Sequence, residues 1–262
     1  MAFGPLPGAG RAPPVSLQLD LWQWVLAAVG AALVGLAKTG IAGLGILSVA
    51  IYATVLPARE SVGILLVILV LTDFVAVSVY RRDASWSHLA RLFPWAGAGV
   101  LIGFVAFGSM NDELVRTVIG GILVALTALQ LFQRREGHLP IEENPNRWLV
   151  ALTGLGAGFT TMIANAAGPL MILYLLAMRL PKYTFVGTAA WFFLVLNLFK
   201  VPFSIGLGLI DFDSLGLSLR MAPFAIAGAL SGRWVISHMN QRMFEAAALL
   251  LTLAAGLRML VG

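Results

Sequence analysis

Charged and amide side chains interrupt long apolar stretches of the sequence at a few isolated positions. Asp73 lies well inside one apolar run, and Lys38, Asn197 and Lys200 lie within or next to others. A charge inside an apolar segment is costly and commonly marks an ion or substrate pathway. The Asp73 carboxylate is expected to take up a proton or to pair with a cation, either Lys38 or the nearby Arg81–Arg82 pair. We therefore expect Asp73, Asn197 and Lys200 to lie along a pathway, with Asp73 carrying a coupling proton.

Glycine, threonine and asparagine are concentrated around two short breaks in the apolar pattern. The breaks are Lys38–Gly40 and Ala164–Ala166. Glycine lets the backbone approach a ligand, and a helix that restarts after a break presents free N–H groups and the positive end of its dipole. Two such helix starts that meet would bind an anion. The residues expected to hold the anion are Lys38, Thr39, Gly40, Gly43, Thr161, Asn165 and Gly168.

Each of these residues also has a simpler interpretation. Lys38 and Lys200 could extend their ammonium groups to a membrane surface. The glycines could serve only close helix packing, and the Thr160 and Thr161 hydroxyls could bond to their own helix backbone. Asn165 could cap a helix. The sequence leaves both sets of interpretations open.

Motifs of soluble enzymes and metal sites are absent from the sequence. It contains no cysteine, and its 3 histidines have no metal-ligand spacing, so we expect no metal or cofactor. The acidic residues are scattered, which disfavours the acid–base or metal chemistry of a membrane-embedded lipid-modifying enzyme. We therefore expect no enzymatic activity.

The composition is that of a membrane protein. Of the 262 residues, 60% are hydrophobic and 11% are charged. A soluble domain has roughly a quarter charged residues, and a chain of this length cannot shield so much apolar surface from water. The net charge of +5 comes largely from short loops, where basic residues act as topology signals rather than as a nucleic-acid surface.

Ten apolar runs are expected to be helices, because backbone polar groups in hydrocarbon must be satisfied within their own segment. We predict a flexible N-terminal tail over 1–20, a first transmembrane repeat over 21–132, a polar linker over 133–146 and a second transmembrane repeat over 147–262. The runs are Leu21–Ala37, Ile41–Leu56, Ser61–Tyr80, Leu89–Gly108, Glu113–Phe132, Arg147–Ile163, Ala167–Met178, Thr184–Leu207, Ser214–Ile236 and Arg242–Leu260.

The two halves of the chain resemble each other. Arg91–Gly103 aligns without a gap with Arg220–Gly232, and Leu56–Gly63 aligns with Leu180–Gly187. With an odd number of segments per half, the second half enters the membrane from the opposite face. The predicted fold class is therefore an all-α polytopic membrane protein with two inverted repeats of about five helical segments each.

Loop charges predict the orientation of these segments. Basic residues follow the third, fifth and ninth runs and precede the eighth, whereas Ser109–Asp112 and Ile210–Asp213 carry acids and no lysine or arginine. The positive-inside rule then makes the linker 133–146 cytoplasmic and places both termini outside a cell (inner) membrane. The equivalent loops 57–60 and 181–183 fall on opposite faces, as an inverted repeat requires.

The first two runs of each half are short for a membrane span, which needs about 20 residues. The second junction, Ala164–Ala166, carries no charge, which is unusual for a loop in water. We therefore expect the first pair of segments in each repeat to be a broken or re-entrant hairpin with its tip inside the protein. Interrupted segments at matching positions of two repeats are typical of transporter sites.

Several of these motifs resemble the sulfite exporter TauE/SafE family of membrane permeases. They are the glycine-rich Gly35–Gly45 around Lys38, and the more specific Asn165–Pro169 and Asn197–Pro202 stretches. The resemblance extends from about Leu21 to the C-terminus. It implies transport of small sulfur-containing anions such as sulfite, sulfoacetate or other sulfonates. The family is usually described with fewer spans than ten, which agrees with re-entrant hairpins.

The sequence therefore predicts a secondary transporter, an exporter of a small sulfur-containing anion that binds at the midplane between the two hairpin tips. Its expected partners are this anion, the lipid bilayer and protons as coupling ion, without nucleic acid. No ATP-binding motif is present, so an ion gradient or the gradient of the anion itself is the expected driving force. A passive anion channel is the main alternative, and a lipid-modifying enzyme is less favoured. The sequence does not specify the oligomeric state.

Overall fold

The computed structural model describes residues 19–38, 43–80, 82, 84–136, 147–238 and 241–261, and all elements in these ranges are helices. The prediction of an all-α polytopic membrane fold is therefore confirmed. Part of what the sequence predicts lies outside the described residues, namely Thr39, Gly40, Arg81, the tail up to residue 18 and the linker from residue 137 to 146.

Each predicted apolar run corresponds to one helix. α2 begins at Leu44 rather than Ile41, after Gly43, whose φ of 90° is left-handed. α3 begins at Ala58 rather than Ser61. The helices are α1 (Leu21–Ala37), α2 (Leu44–Val55), α3 (Ala58–Tyr80), α4 (Trp86–Gly108), α5 (Asp112–Glu136), α6 (Arg147–Ala164), α7 (Gly168–Ala177), α8 (Lys182–Gly206), α9 (Phe212–His238) and α10 (Gln241–Val261).

Five of the described helices are long and apolar enough to cross a membrane, and they are α3, α4, α5, α8 and α9. By contrast, α2 has 12 residues and α7 has 10. Helices of these lengths extend about 18 and 15 Å, short of a hydrocarbon core of about 30 Å. Since α2 packs on α1 and α7 packs on α6, each short helix forms a hairpin with the helix before it.

The helices of the two halves interleave. α1 packs on α9 and α4 packs on α6, while α3 contacts α8 and α5 contacts α10. If each helix of the second half is taken as the equivalent of one in the first half, α6 of α1 and so on to α10 of α5, the α1–α9 contact is equivalent to the α6–α4 contact. The α3–α8 and α5–α10 contacts each join a pair of equivalent helices. This pattern agrees with the predicted duplication. The larger apolar core lies mainly between α1, α2, α3, α5 and α9, and a second core surrounds α4, α6, α7 and α8.

Two glycine contacts repeat between the halves in atomic detail. A Cβ atom on Gly35 would lie 2.0 Å from the carbonyl oxygen of Ala225, and a Cβ atom on Gly158 would lie 2.0 Å from that of Ala96. Ala96 and Ala225 are paired by the sequence alignment of the halves. Only glycine permits such close backbone approach, so α1 crosses α9 in the same way as α6 crosses α4.

The connecting loops gather at two ends of the bundle. At one end the Arg59 N–H donates to the Asp112 carboxylate over 2.9 Å. At the other end the Ser85 N–H donates to the Thr188 hydroxyl over 2.9 Å, and His88 Nδ1 lies 2.9 Å from the Tyr174 hydroxyl. The loops that the charge rule places outside therefore meet at one end, while their orientation in a membrane stays a prediction.

Candidate functional site

The ends of α1 and α6 meet the middle of α3 and α8 inside the bundle. Lys38 directly follows α1, Asp73 lies on α3, Thr161 lies near the end of α6, and Asn197 and Lys200 lie on α8. All of them except Lys38 are buried. Hydrogen bonds join these residues and Asn165 into one cluster, which we call the interior cluster.

Lys38 and Asp73 form an ion pair. The Lys38 ammonium nitrogen lies 2.6 Å from Asp73 Oδ1, with side-chain exposures of 12% and 0%. The same nitrogen lies 5.1 Å from the ring centroid of Phe193, a cation–π distance. Of the alternatives that the sequence left open, Asp73 thus pairs with Lys38, and Lys38 does not extend to a surface.

Asn197 connects the ion pair to Lys200. Its Nδ2 atom donates to Asp73 Oδ2 over 2.7 Å, and its Oδ1 atom accepts a weaker bond from Lys200 over 3.4 Å. A carboxylate only accepts and an ammonium only donates, so the two neighbours define the orientation of the Asn197 amide.

The Lys200 side chain is fully buried, with 0% exposure. It donates to Asn165 Oδ1 over 2.6 Å and to the Thr161 hydroxyl over 3.0 Å, in addition to Asn197. These partners are neutral oxygens. Among the described residues, the carboxylate connected to Lys200 is Asp73, and Asn197 bonds to both of them. With both lysines and Asp73 ionised, the interior cluster carries a formal charge of +1.

Asn165 holds the tip of the second hairpin in place. Its backbone has a φ of 52°, a left-handed conformation that asparagine tolerates better than most residues. Its side-chain Nδ2 donates to the Val62 carbonyl of α3 over 2.8 Å, whereas the residue that caps α7 is Ala167. Ala164 and Ala167 are at most 1% exposed, so the second tip lies inside the protein, as predicted.

The two neighbouring threonines have different roles. The Thr160 hydroxyl donates to the Gly156 carbonyl of its own helix over 2.8 Å. Of the two interpretations that the sequence left open for Thr160, the bond to its own helix backbone is therefore the one observed. Thr161 is buried and accepts from Lys200. Because the Thr161 oxygen accepts from an ammonium group, its hydroxyl hydrogen remains available to donate to another group.

A cavity of about 140 Å³ adjoins the interior cluster. Predicted site residues Lys38, Gly43, Thr161, Asn165 and Gly168 all line it, and so does Asn197. Gly43 and Gly168 stand at the beginnings of α2 and α7, where the first N–H groups of a helix have no partner within the helix. The rest of the lining is mainly apolar.

Asp73 and Lys200 lie behind this lining rather than in it. Asp73 bonds to Lys38 and Asn197, and Lys200 bonds to Thr161 and Asn165. These four partners line the cavity. The structure thus brings together all the predicted site residues that it describes, in two layers. Within the described residues, no group of three histidine, aspartate or glutamate side chains could hold a metal ion.

Sequence reasoning missed one polar residue of the cavity, Gln130. Gln130 lies on α5, is 6% exposed and lines the cavity. Gln130 lies close to the polar linker in sequence, so the sequence places it at the end of the fifth apolar run and not in the interior. The sequence contains only a weak indication that Gln130 is an interior residue, because it lies three positions before the predicted polar linker. In the structure α5 continues past Gln130 to Glu136.

Comparison with known proteins gives one match. A family model described as "Sulfite exporter TauE/SafE" matches residues 26–259 of the chain. This range contains every residue of the interior cluster, the whole second hairpin and the first hairpin except the first five residues of α1. No curated protein and no solved structure matches the chain.

Proposed function

The chain belongs to the sulfite exporter TauE/SafE family, and from this membership and the interior cluster we propose that it is a secondary transporter that exports sulfite or a small organosulfonate. The family and the apolar helices make it a multi-pass membrane transporter. The substrate, the binding residues and the coupling ion form the proposal.

The observation that carries the proposal is that two lysines and one carboxylate lie together beside the cavity, which in their ionised forms leave an excess of positive charge. Among the residues that the structure describes, Asp73 is the carboxylate that Lys38 and Lys200 share. An uncompensated charge in a low-dielectric interior is strongly unfavourable, so a partner of opposite sign is bound strongly. A monoanion in the cavity would bring the formal charge of the interior cluster to zero.

The cavity volume fits a small anion. A cavity of about 140 Å³ is several times the roughly 10–15 Å³ that one water molecule needs. This is room for a three-oxygen sulfur group with a short substituent. Its oxygens would accept from Lys38, from the Thr161 hydroxyl and from the first N–H groups of α2 and α7, with Lys200 attracting the anion from behind. Thr39 and Gly40, next to Lys38 in sequence, belong to the proposed site.

Asp73 is the proposed proton carrier. Its carboxylate competes with the anion for Lys38, because the ion pair occupies one of the donors of the ammonium group. A proton on Asp73 would free Lys38 and raise the formal charge of the cluster by one unit, favouring anion binding. Loss of the proton would re-form the ion pair and favour release. Binding of anion and proton would thus be linked.

Flux measurements in proteoliposomes test this function. We expect saturable, exchangeable transport of radiolabelled sulfite by the wild type, and loss of affinity by at least tenfold in Lys38→Met and Asn165→Ala. Lys182→Met is the matched control, because Lys182 begins α8 and lies about 27 Å along the helix from Lys200. Unchanged affinity in both site variants would remove the proposed site, and non-saturating flux would favour a channel.

A further inference from the structure

The side-chain amide of Gln130 contains an oxygen that accepts no hydrogen bond from the described residues. Its side-chain oxygen Oε1 is buried and has no hydrogen-bond partner among the described residues. Buried polar atoms without a partner are rare in folded proteins, because they lose their bonds to water and gain none in return. A residue that lines a cavity in this condition is suited to a partner that enters the cavity.

The other polar residues of the cavity are already paired. Lys38 bonds Asp73, and Asn197 bonds both Asp73 and Lys200. Thr161 and Asn165 accept from Lys200. Gln130 is thus separate from the interior cluster in its bonding, and also in its position on α5.

Gln130 lies beside the beginning of α2. A Cβ atom on Gly43 would be 3.7 Å from Gln130 Oε1 and 3.4 Å from the Leu249 side chain of α10. α2, α5 and α10 contact one another, whereas Lys38 bonds Asp73 of α3 and Lys200 lies on α8. A substrate with its anionic group at the lysines would place its other end toward Gln130.

We propose that Gln130 is a specificity residue that binds a hydrogen-bond donor on the substrate, a hydroxyl or amino group carried on the short carbon chain of an organosulfonate. A carbonyl oxygen repels sulfonate oxygens and attracts an O–H or N–H group. The inference rests on the proposed transport function and adds to it that the substrate is polar at both ends. Bare sulfite or an alkyl sulfonate has no such donor and would leave the Gln130 Oε1 atom without a partner.

Binding of two matched probes to the purified full chain tests the proposal. The probes are 2-hydroxyethanesulfonate and ethanesulfonate, which differ by one hydroxyl group. One hydrogen bond corresponds to roughly a three- to tenfold difference in affinity. We expect the wild type to prefer the hydroxylated probe by this factor, and Gln130→Met to bind the two probes within twofold of each other while keeping its affinity for ethanesulfonate.

Two further variants separate recognition from a general effect on folding. Gln130→Glu keeps an acceptor oxygen, so it should preserve the preference for the hydroxyl group while weakening both anions. Thr127→Val removes another buried, unpaired oxygen one turn earlier on α5, and it should leave the preference unchanged. Because Gln130→Met removes an unpaired polar group with little change in volume, its melting temperature without ligand should be equal or higher.

The outcomes distinguish this inference from the function on which it rests. An unchanged preference in Gln130→Met, or equal weakening of both probes, would overturn the role of Gln130 and leave the transport function standing. A wild type that binds both probes equally would overturn it as well. A wild type that binds neither probe nor sulfite would overturn the transport function and this inference together.

Discussion

The positive charge of the interior cluster arises from differences between equivalent residues of the two halves. The alignment of Gly63 with Gly187 places Asp73 opposite Asn197 and Ala76 opposite Lys200. The first half therefore contributes a carboxylate where the second contributes an amide and, one turn later, a lysine. Two identical halves could not produce this arrangement, so the sign of the formal charge depends on residues that differ between the halves.

Replacing Asp73 by asparagine tests how this charge is held. Asp73→Asn leaves the fully buried Lys200 and the largely buried Lys38 without a carboxylate, and breaking a buried ion pair costs about 3–5 kcal/mol. We expect a clear fall in melting temperature in sodium chloride and a larger stabilisation by ethanesulfonate than in the wild type. Transport by the variant should no longer respond to an imposed proton gradient.

A double variant provides the control for this prediction. Lys38→Met with Asp73→Leu removes both members of the ion pair and leaves no uncompensated charge from it, so much of the lost stability should return. A single variant Asp73→Asn that is as stable as the wild type in sodium chloride would contradict the ion pair as described.

The residues of the interior cluster were predictable because they are polar within apolar runs. The direction of a long side chain was not, because Lys200 can reach either a surface or an interior cluster from the same helix position. Only packing decides, and it buries the Lys200 ammonium completely. Thr160 and Thr161 illustrate the same limit, since adjacent threonines point to different partners around the helix.

At the level of elements, the two hairpins are held by the glycine crossings. Gly35 fixes α1 against α9, and Gly158 fixes α6 against α4, each through the same close backbone contact. Lys38 follows Gly35 by three positions, and Thr161 follows Gly158 by three. The crossings therefore set where both hairpin ends meet α3 and α8, and hence the geometry of the cluster.

Alanine substitution at these crossings should be destabilising in both halves. A Cβ atom at either position would overlap a backbone oxygen, which cannot move away like a side chain, so we expect Gly35→Ala and Gly158→Ala each to lose about 1–3 kcal/mol or more. Gly121→Ala is the control, because a Cβ atom there meets nothing within 4 Å, and alanine favours a helix. Thermal unfolding in detergent measures all three, and a stable Gly35→Ala would refute the close crossing.

The ten helices in the described part of the chain were predictable from apolar runs alone, because the backbone polar groups of an apolar run in a membrane must bond within that run, and a helix achieves this. The starting residues were less predictable. Gly43 adopts a left-handed φ and moves the beginning of α2 to Leu44, yet glycine permits that conformation without requiring it. The break that lines the cavity is therefore visible in sequence, while its backbone path is not.

At the level of the whole molecule, the connecting loops lie at two ends of the bundle. Loop 57–60 contacts loop 109–112 through Arg59 and Asp112, and a Cβ atom on Gly63 would touch the backbone of Leu209. The 23 residues of α3 separate this end from Ser85 by about 35 Å. The equivalent loop 181–183 precedes Thr188, which bonds Ser85. The two equivalent loops thus lie at opposite ends of the bundle.

Cysteine labelling in cells tests whether these ends face opposite sides of the membrane. The chain contains no cysteine, so each single variant carries one reactive thiol without background. Pro57, Ser109 and Pro181 are exposed, and the first two lie at the acidic end. We expect a membrane-impermeant maleimide to label Pro57→Cys and Ser109→Cys in intact cells, and Pro181→Cys only after permeabilisation, because the basic loops face the cytoplasm. Labelling of Pro57→Cys and Pro181→Cys from the same side would contradict the inverted arrangement, whereas reversal of all three would keep the inversion and overturn only the orientation.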